Sequence, residues 1–229
     1  MKKFELTNEF IANRFGTKLF RIRALVEFGD VEAGELGGYV EKESNLGHDD
    51  NAWVYGNARV YGDALVYDNA RVYDNAWVYG DAQVSGDALV YGNARVCGNA
   101  WVYGNARVCG NALVCGNAWV CGNARVYGDA QVSGDARVRG DARVCGNGDY
   151  AYAHGFGSVN RTTTFFRLKD GGVGVRCGCF YGTLAQFRDK IRETHGETKK
   201  AQEYLMLADL MELRFEEDEN EVGNRKYVE

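Results

Sequence analysis

The chain contains no proline at all, and only three histidines and three methionines among its 229 residues. Freedom from proline, set beside 30 glycines, is the pattern of a backbone whose N–H groups are committed to hydrogen bonds while its corners need residues that accept positive φ. No apolar run approaches the roughly 18 residues that a membrane-spanning helix requires. Met1-Lys2-Lys3 leads into Phe4-Glu5-Leu6-Thr7-Asn8-Glu9 rather than into a signal-peptide core. These absences predict a cytoplasmic protein without a membrane partner. A formal charge of −5 supplies no general counterion-release drive towards duplex nucleic acid, so none is expected as a partner. The seven cysteines are odd in number, and Cys97, Cys109, Cys115, Cys121 and Cys145 share one repeat position that elsewhere holds Tyr, Ser or Arg. Reduced thiols at an outward position explain them better than a disulfide framework.

What is present is a period of six. Valine recurs every six residues without a gap from Val54 to Val144, in units such as Asn93-Ala94-Arg95-Val96-Cys97-Gly98. Alanine and valine stand two apart, so they share one face of a short strand and point inward, while their neighbours point out. Glycine followed by Asn or Asp supplies each corner, with Asp68 and Asp74 replacing the glycine twice. The Asn and Asp side chains are expected to bond their own backbone there. A single unit cannot bury its own valine, so the units must stack as coils about 4.8 Å apart.

This repeat resembles the hexapeptide-repeat family, in which three hexads close each triangular coil of a left-handed parallel β-helix. The aliphatic residue and the small residue four places later match in every unit from Val54 to Val138, whereas glycine falls two places after the valine rather than one. Left-handedness is implied by the resemblance alone, because the general rule for parallel crossovers favours the right hand. With Val40 and Leu46 as earlier hexads, and a two-residue insertion within Gly47-His48-Asp49-Asp50, about six coils are expected. The fold class is therefore mainly β, with residues 1–35 as an N-terminal cap, 36–150 as the β-helix and 151–229 as a small α+β unit. Within that unit, strands over Thr163–Leu168 and Val173–Phe180 flank Asp170-Gly171-Gly172. Thr183-Leu184-Ala185-Gln186 opens a helix ending near His195, and a second helix covers about Lys199–Arg214. The motifs Leu36-Gly37-Gly38-Tyr39-Val40-Glu41-Lys42-Glu43-Ser44-Asn45-Leu46 and Cys177-Gly178-Cys179-Phe180-Tyr181-Gly182-Thr183-Leu184 also resemble proteins common in bacteriophage and prophage genomes, a likeness that carries no established chemistry.

Eighteen-residue columns unroll the rod into three outward faces. The first carries Trp53, Arg71, Leu89, Arg107, Arg125 and Arg143, beside Tyr55, Tyr73, Tyr91, Cys109, Tyr127 and Cys145. Stacked like charges repel unless something negative lies between them. Arg71, Arg107, Arg125 and Arg143 with Tyr73, Tyr91 and Tyr127 are thus the candidate ligand-binding set, suited to a small anion such as a nucleotide. The alternative is internal neutralisation by Asp129, Asp141 or the acidic tail from Glu216 to Glu221. The second face carries Arg59, Trp77, Arg95, Leu113 and Gln131. The third carries Leu65, Gln83, Trp101, Trp119 and Arg137, beside Tyr103, Cys121 and Arg139. Leu65, Trp101, Tyr103 and Trp119 form an apolar stripe read as a subunit interface, a homotrimer by analogy with the family, unless the C-terminal helices fold over it.

Catalysis finds little to use. Acyltransferases of the family place a histidine base on the coil wall, yet no histidine lies between Val54 and Val144; of His48, His154 and His195, His154 is the best-placed base, and only if the chain is an acyltransferase. Cys177, Cys179 and His195 suggest zinc weakly, and two small buried cysteines explain the pair better. No metal is expected, since a coil wall without histidine cannot supply converging imidazoles, and no cofactor is expected, since the glycines are corners rather than a phosphate loop. The reading is a non-enzymatic solenoid that binds or sequesters a small anionic ligand, with a structural scaffold as the alternative.

Overall fold

The computed structural model describes residues 2–157 and 161–216. Most hexads form a two-residue strand such as Arg107–Val108, two extend to four residues at Arg59–Gly62 and Trp77–Gly80, and the pleat turns valine and alanine inward, where both are buried throughout Val54–Val144. Burying one valine contributes about 1.5–3 kcal/mol, and only a neighbouring coil can provide that cover.

Register defines the coil. Arg107 pairs in parallel with Leu89 on one side and Arg125 on the other, so the chain returns to the same face after three hexads. The first face is a six-stranded sheet from Trp53 to Arg143, and the third has five strands from Leu65 to Arg137. Leu46 adds a sixth level to the third face through a parallel bridge to Val66, and Val40 does the same for the second by pairing with Val60. The rod therefore has the expected six coils. Both pairings span twenty residues, which accommodates the insertion between Leu46 and Val54, where Asp50 takes φ 57°.

The lack of proline now has its reason. Arg107, Cys109 and Asn111 each donate a backbone N–H to the next coil, to Ala124, Val126 and Gly128 at 2.9 Å, and proline at any of them would remove a rung. The corner asparagines behave otherwise than the sequence predicts. Instead of bonding their own backbone they bond each other from coil to coil: Asn105 Nδ2 donates to Asn123 Oδ1 at 3.3 Å, and Asn123 Nδ2 to Asp141 Oδ1 at 3.2 Å. A carboxylate accepts without donating, so such ladders end at Asp87, Asp129, Asp135 and Asp141.

Strands β1 (Phe4–Ala12) and β2 (Lys18–Ala24) form an antiparallel hairpin, and β2 pairs with β3 (Leu36–Val40), which enters the second face. This cap overturns one expectation. Trp53 does not face solvent; it is fully buried, with Phe4 and Phe28 edge-on to its ring at centroid distances of 6.1 and 5.3 Å. Gly37 makes the contact close enough, because a Cβ there would lie 2.8 Å from Trp53 Cζ2 and 2.6 Å from the Val54 carbonyl oxygen.

Beyond Val144 the chain forms a four-stranded antiparallel sheet in the order Tyr150–Phe156, Arg161–Arg167, Val173–Cys177, Phe180–Thr183. The first of these strands lies outside the predicted hairpin. The predicted strand over Val173–Phe180 is broken in two, because Gly178 at φ 57° reverses the chain. Helices α1 (Leu184–His195) and α2 (Lys199–Phe215) lie where the sequence puts them. Thr183 Oγ1 accepts from Gln186 N while Gln186 Oε1 accepts from Thr183 N, the capping box expected. Phe165, Val175, Phe187, Ile191, Tyr204, Ala208 and Met211 make a core separate from that of the rod. The sheet covers the last coil through an Ala142–Leu168 bridge and a bond from Arg137 N to Thr164 Oγ1 at 3.0 Å.

Candidate functional site

The first face sorts its arginines into two kinds. Arg71 does not belong with the others: its Nη1 lies 3.0 Å from Asp30 Oδ2, and the other oxygen of that carboxylate accepts from the Tyr55 hydroxyl at 3.0 Å. The N-terminal cap thus occupies this guanidinium, and Leu89 separates it from Arg107 in register. Arg107, Arg125 and Arg143 follow in direct succession, each paired with the next.

The second face shows how the fold otherwise tolerates stacked arginines. There Trp77 lies between Arg59 and Arg95, whose guanidinium carbons sit 5.0 and 5.3 Å from its ring. A ring separates the like charges and its π-face attracts both. No ring interrupts the column of Arg107, Arg125 and Arg143. Among the described residues no carboxylate comes within ion-pair distance of any of the three, and Arg143 Nη1 is buried without a hydrogen-bond partner. Burial first, then the charge of Arg125, holds the Arg143 guanidinium below its ordinary value, with Asp141 offsetting part of the effect. The corner carboxylates are engaged elsewhere: Asp129 Oδ1 accepts from Asn111 and Asp141 Oδ1 from Asn123. The acidic tail from Glu217 to Glu221 lies outside the described residues.

The tyrosines of the set are partly spent on one another. Tyr73 and Tyr91 stack at 4.9 Å with planes 3° apart. The Tyr91 hydroxyl is pushed up to about 12 by its hydrogen bond with Cys109 and by burial. Tyr127 stands one coil above Cys109 and is half-buried. An open depression of about 520 Å³ occupies the earlier part of this face, lined by Tyr55, Asn57, Tyr73, Asp74, Asn75 and Asn93 among others, and by none of the three arginines.

A family model described as the YdcK Beta solenoid repeat matches residues 52–67, 64–80, 82–98, 90–104, 94–109, 106–122 and 130–146. The match and the six coils in register agree on a β-solenoid repeat. The protein is a β-solenoid repeat protein. No curated protein matches it.

On the third face of the solenoid, Trp101 and Trp119 stack at 5.2 Å with planes 7° apart, and Tyr103 meets both edge-on. Trp101 remains 38% exposed, so the C-terminal helices do not fold over the stripe. Leu65 sits two coils below, separated from Trp101 by Gln83.

The remaining candidates are scattered. His154 is exposed on the strand Tyr150–Phe156, with Nδ1 2.9 Å from the Thr162 hydroxyl. Cys177 accepts a hydrogen bond from the Thr163 hydroxyl at 3.1 Å, whereas Cys179 is exposed past the turn at Gly178. The pair is therefore not two buried cysteines on one strand face, because the strand ends between them. Among the described residues no group of three or more His, Cys, Asp or Glu side chains is placed to hold a metal ion, and no helix is long and apolar enough to cross a membrane.

One arginine escapes the sequence reading altogether. Arg176, on the strand Val173–Cys177, lies opposite Tyr181 in the neighbouring strand, and Arg139 of the last coil sits 4.9 Å over the Tyr181 ring. Nothing in the hexad period points to Arg176, since it lies outside the repeat.

Proposed function

We propose that this solenoid is a non-enzymatic binding protein that holds a small anionic ligand, such as a nucleotide, on its first face. The observation that carries the reading is the succession Arg107, Arg125, Arg143 without a carboxylate partner among the described residues. Three arginines on strands about 4.8 Å apart are stabilised by an oxyanion that accepts from more than one of them. The motifs flanking the repeat support a phage or prophage setting, in which sequestering a small host anion is a useful activity.

Native mass spectrometry of gently purified protein tests this reading, followed by equilibrium binding to the variant Arg107→Gln/Arg125→Gln. A nucleotide-sized adduct that is lost in the variant supports it. A bare protein, with nucleotide affinity unchanged in the variant, refutes it.

A second reading is a scaffold assembled as a homotrimer through the third face, supported by the exposed Trp101 stacked on Trp119. Here the same spectrum shows three times the 25.4 kDa chain mass, and Trp101→Ala returns it to one. Acyl transfer rests on His154 alone, whose partner is a threonine hydroxyl. Its test is acyl-CoA turnover in His154→Ala.

A further inference from the structure

We infer that the seam between the solenoid and the C-terminal sheet is a second anion site, built by Arg137, Arg139 and Arg176 for a phosphate-bearing ligand. It lies on a different face from the Arg107–Arg143 column and does not depend on that reading.

The three side chains come from two separate units. Arg137 and Arg139 flank the valine of the last hexad on the third face, and Arg176 belongs to the sheet that covers that coil. Tyr181 joins them. It pairs with Arg176 across the sheet, lies beneath Arg139, and stacks on Phe166 at 6.4 Å. Its hydroxyl is set against Gly140, where any Cβ would collide with it. Tyr181 thus fixes the distance between the rod and the sheet at the point where the arginines meet.

Each guanidinium is held by something other than a carboxylate. Arg137 lies 4.6 Å over Trp119, Arg139 lies over Tyr181, and Arg176 Nη1 donates to the Phe180 carbonyl at 3.0 Å. Stacking and carbonyl bonding orient a guanidinium without neutralising it, and the rings leave its in-plane N–H groups available to an acceptor. Asp141, the acid beside Tyr181, spends Oδ1 on Asn123, and among the described residues no carboxylate pairs with any of the three. They also feel one another: burial, then Arg139 and Arg137, hold the Arg176 guanidinium below its ordinary value. A chain of net charge −5 has carboxylates to spare, yet it gathers three cations at one seam without any. Phosphate oxygens match the guanidinium fork bidentately and relieve the repulsion.

Trp119 beneath Arg137, with Trp101 beyond it, makes a built-in reporter, while Trp53 is sealed under the N-terminal cap. The test is titration of the full chain with inorganic pyrophosphate and with ATP, followed by tryptophan fluorescence and by calorimetry. Arg139→Gln/Arg176→Gln should weaken pyrophosphate at least ~10-fold, as removal of two charge-assisted forks implies, whereas Arg107→Gln/Arg125→Gln leaves the fluorescence response intact. Arg176→Lys keeps the charge and loses the fork, so an intermediate loss is expected even if the double variant folds poorly. ATP and pyrophosphate binding equally would assign the site to phosphate alone; tighter ATP would add a contact to the base. Absence of a fluorescence change and of heat with both ligands in the Arg107→Gln/Arg125→Gln background overturns the proposal, as does undiminished affinity in Arg176→Lys and in the double variant.

Discussion

The carboxylate of Asp74 accepts a hydrogen bond from the backbone N–H of Gly92, one coil further on, at 3.0 Å. Asp74 holds φ 60° where almost every other corner has glycine. At a glycine corner such as Gly80 an added Cβ would come within 3.0 Å of the Gly98 nitrogen, and the aspartate turns that close approach into a bond.

Asp74→Ala should therefore destabilise the rod by about 1–2 kcal/mol, because alanine keeps the left-handed strain and offers no acceptor. Asp74→Gly should stay within about 1 kcal/mol of the parent, the lost bond being offset by relief of strain. Urea denaturation of both variants checks the order. Alanine more stable than glycine here would contradict the account.

Burial of Trp53 under the cap has a separate consequence. Trp53→Ala should cost about 3–5 kcal/mol, as large-to-small core changes do, and the loss should be local. Amide exchange should rise in β1 and β2 while the coils from Val90 to Val144 keep their protection. Trp53→Phe should cost less, since the indole Nε1 has no partner to lose. Uniform loss of protection along the rod would mean that the cap and the coils unfold as one unit.

Outward tyrosines make the rod sensitive to alkali. Burial and hydrogen bonds with Cys97 and Cys121 raise Tyr79 and Tyr103 from the ordinary 10.0 to about 12, and the bond with Cys109 followed by burial does the same for Tyr91. A pKa raised on folding means that the native state retains protons which the unfolded chain releases. This contribution is complete below pH 10 and is lost as pH rises towards about 12. Thermal stability should fall across that window, with tyrosinate absorbance appearing late and cooperatively. Tyrosine ionisation centred at its ordinary value would contradict the packing described.

Within the repeat, the architecture was legible because every hexad repeats the same physical instruction. Alanine and valine two apart, with a corner residue that tolerates positive φ, leave one arrangement that buries the valines. The capping box at Thr183 and Gln186 was readable for the same reason: its partners are three residues apart. Arg107, Arg125 and Arg143 could be placed in one column from spacing alone, and register confirms their adjacency.

Whatever depends on a contact between distant segments was not readable. Trp53 and Arg71 obey the outward rule of the hexad, yet the cap covers one and Asp30 binds the other, partners that no period encodes. The corner asparagines satisfy their amides on the next coil rather than locally, because a partner eighteen residues away stands only one strand spacing off. Arg176 reaches Arg137 and Arg139 only when the C-terminal sheet settles on the last coil. The sequence by itself determined the rod, its six coils and the side chains each face carries, since those follow from local geometry repeated along one axis. Tertiary structure alone decided which outward charges are neutralised and which stand together without a counter-ion, because that depends on where the two ends of the chain fold back.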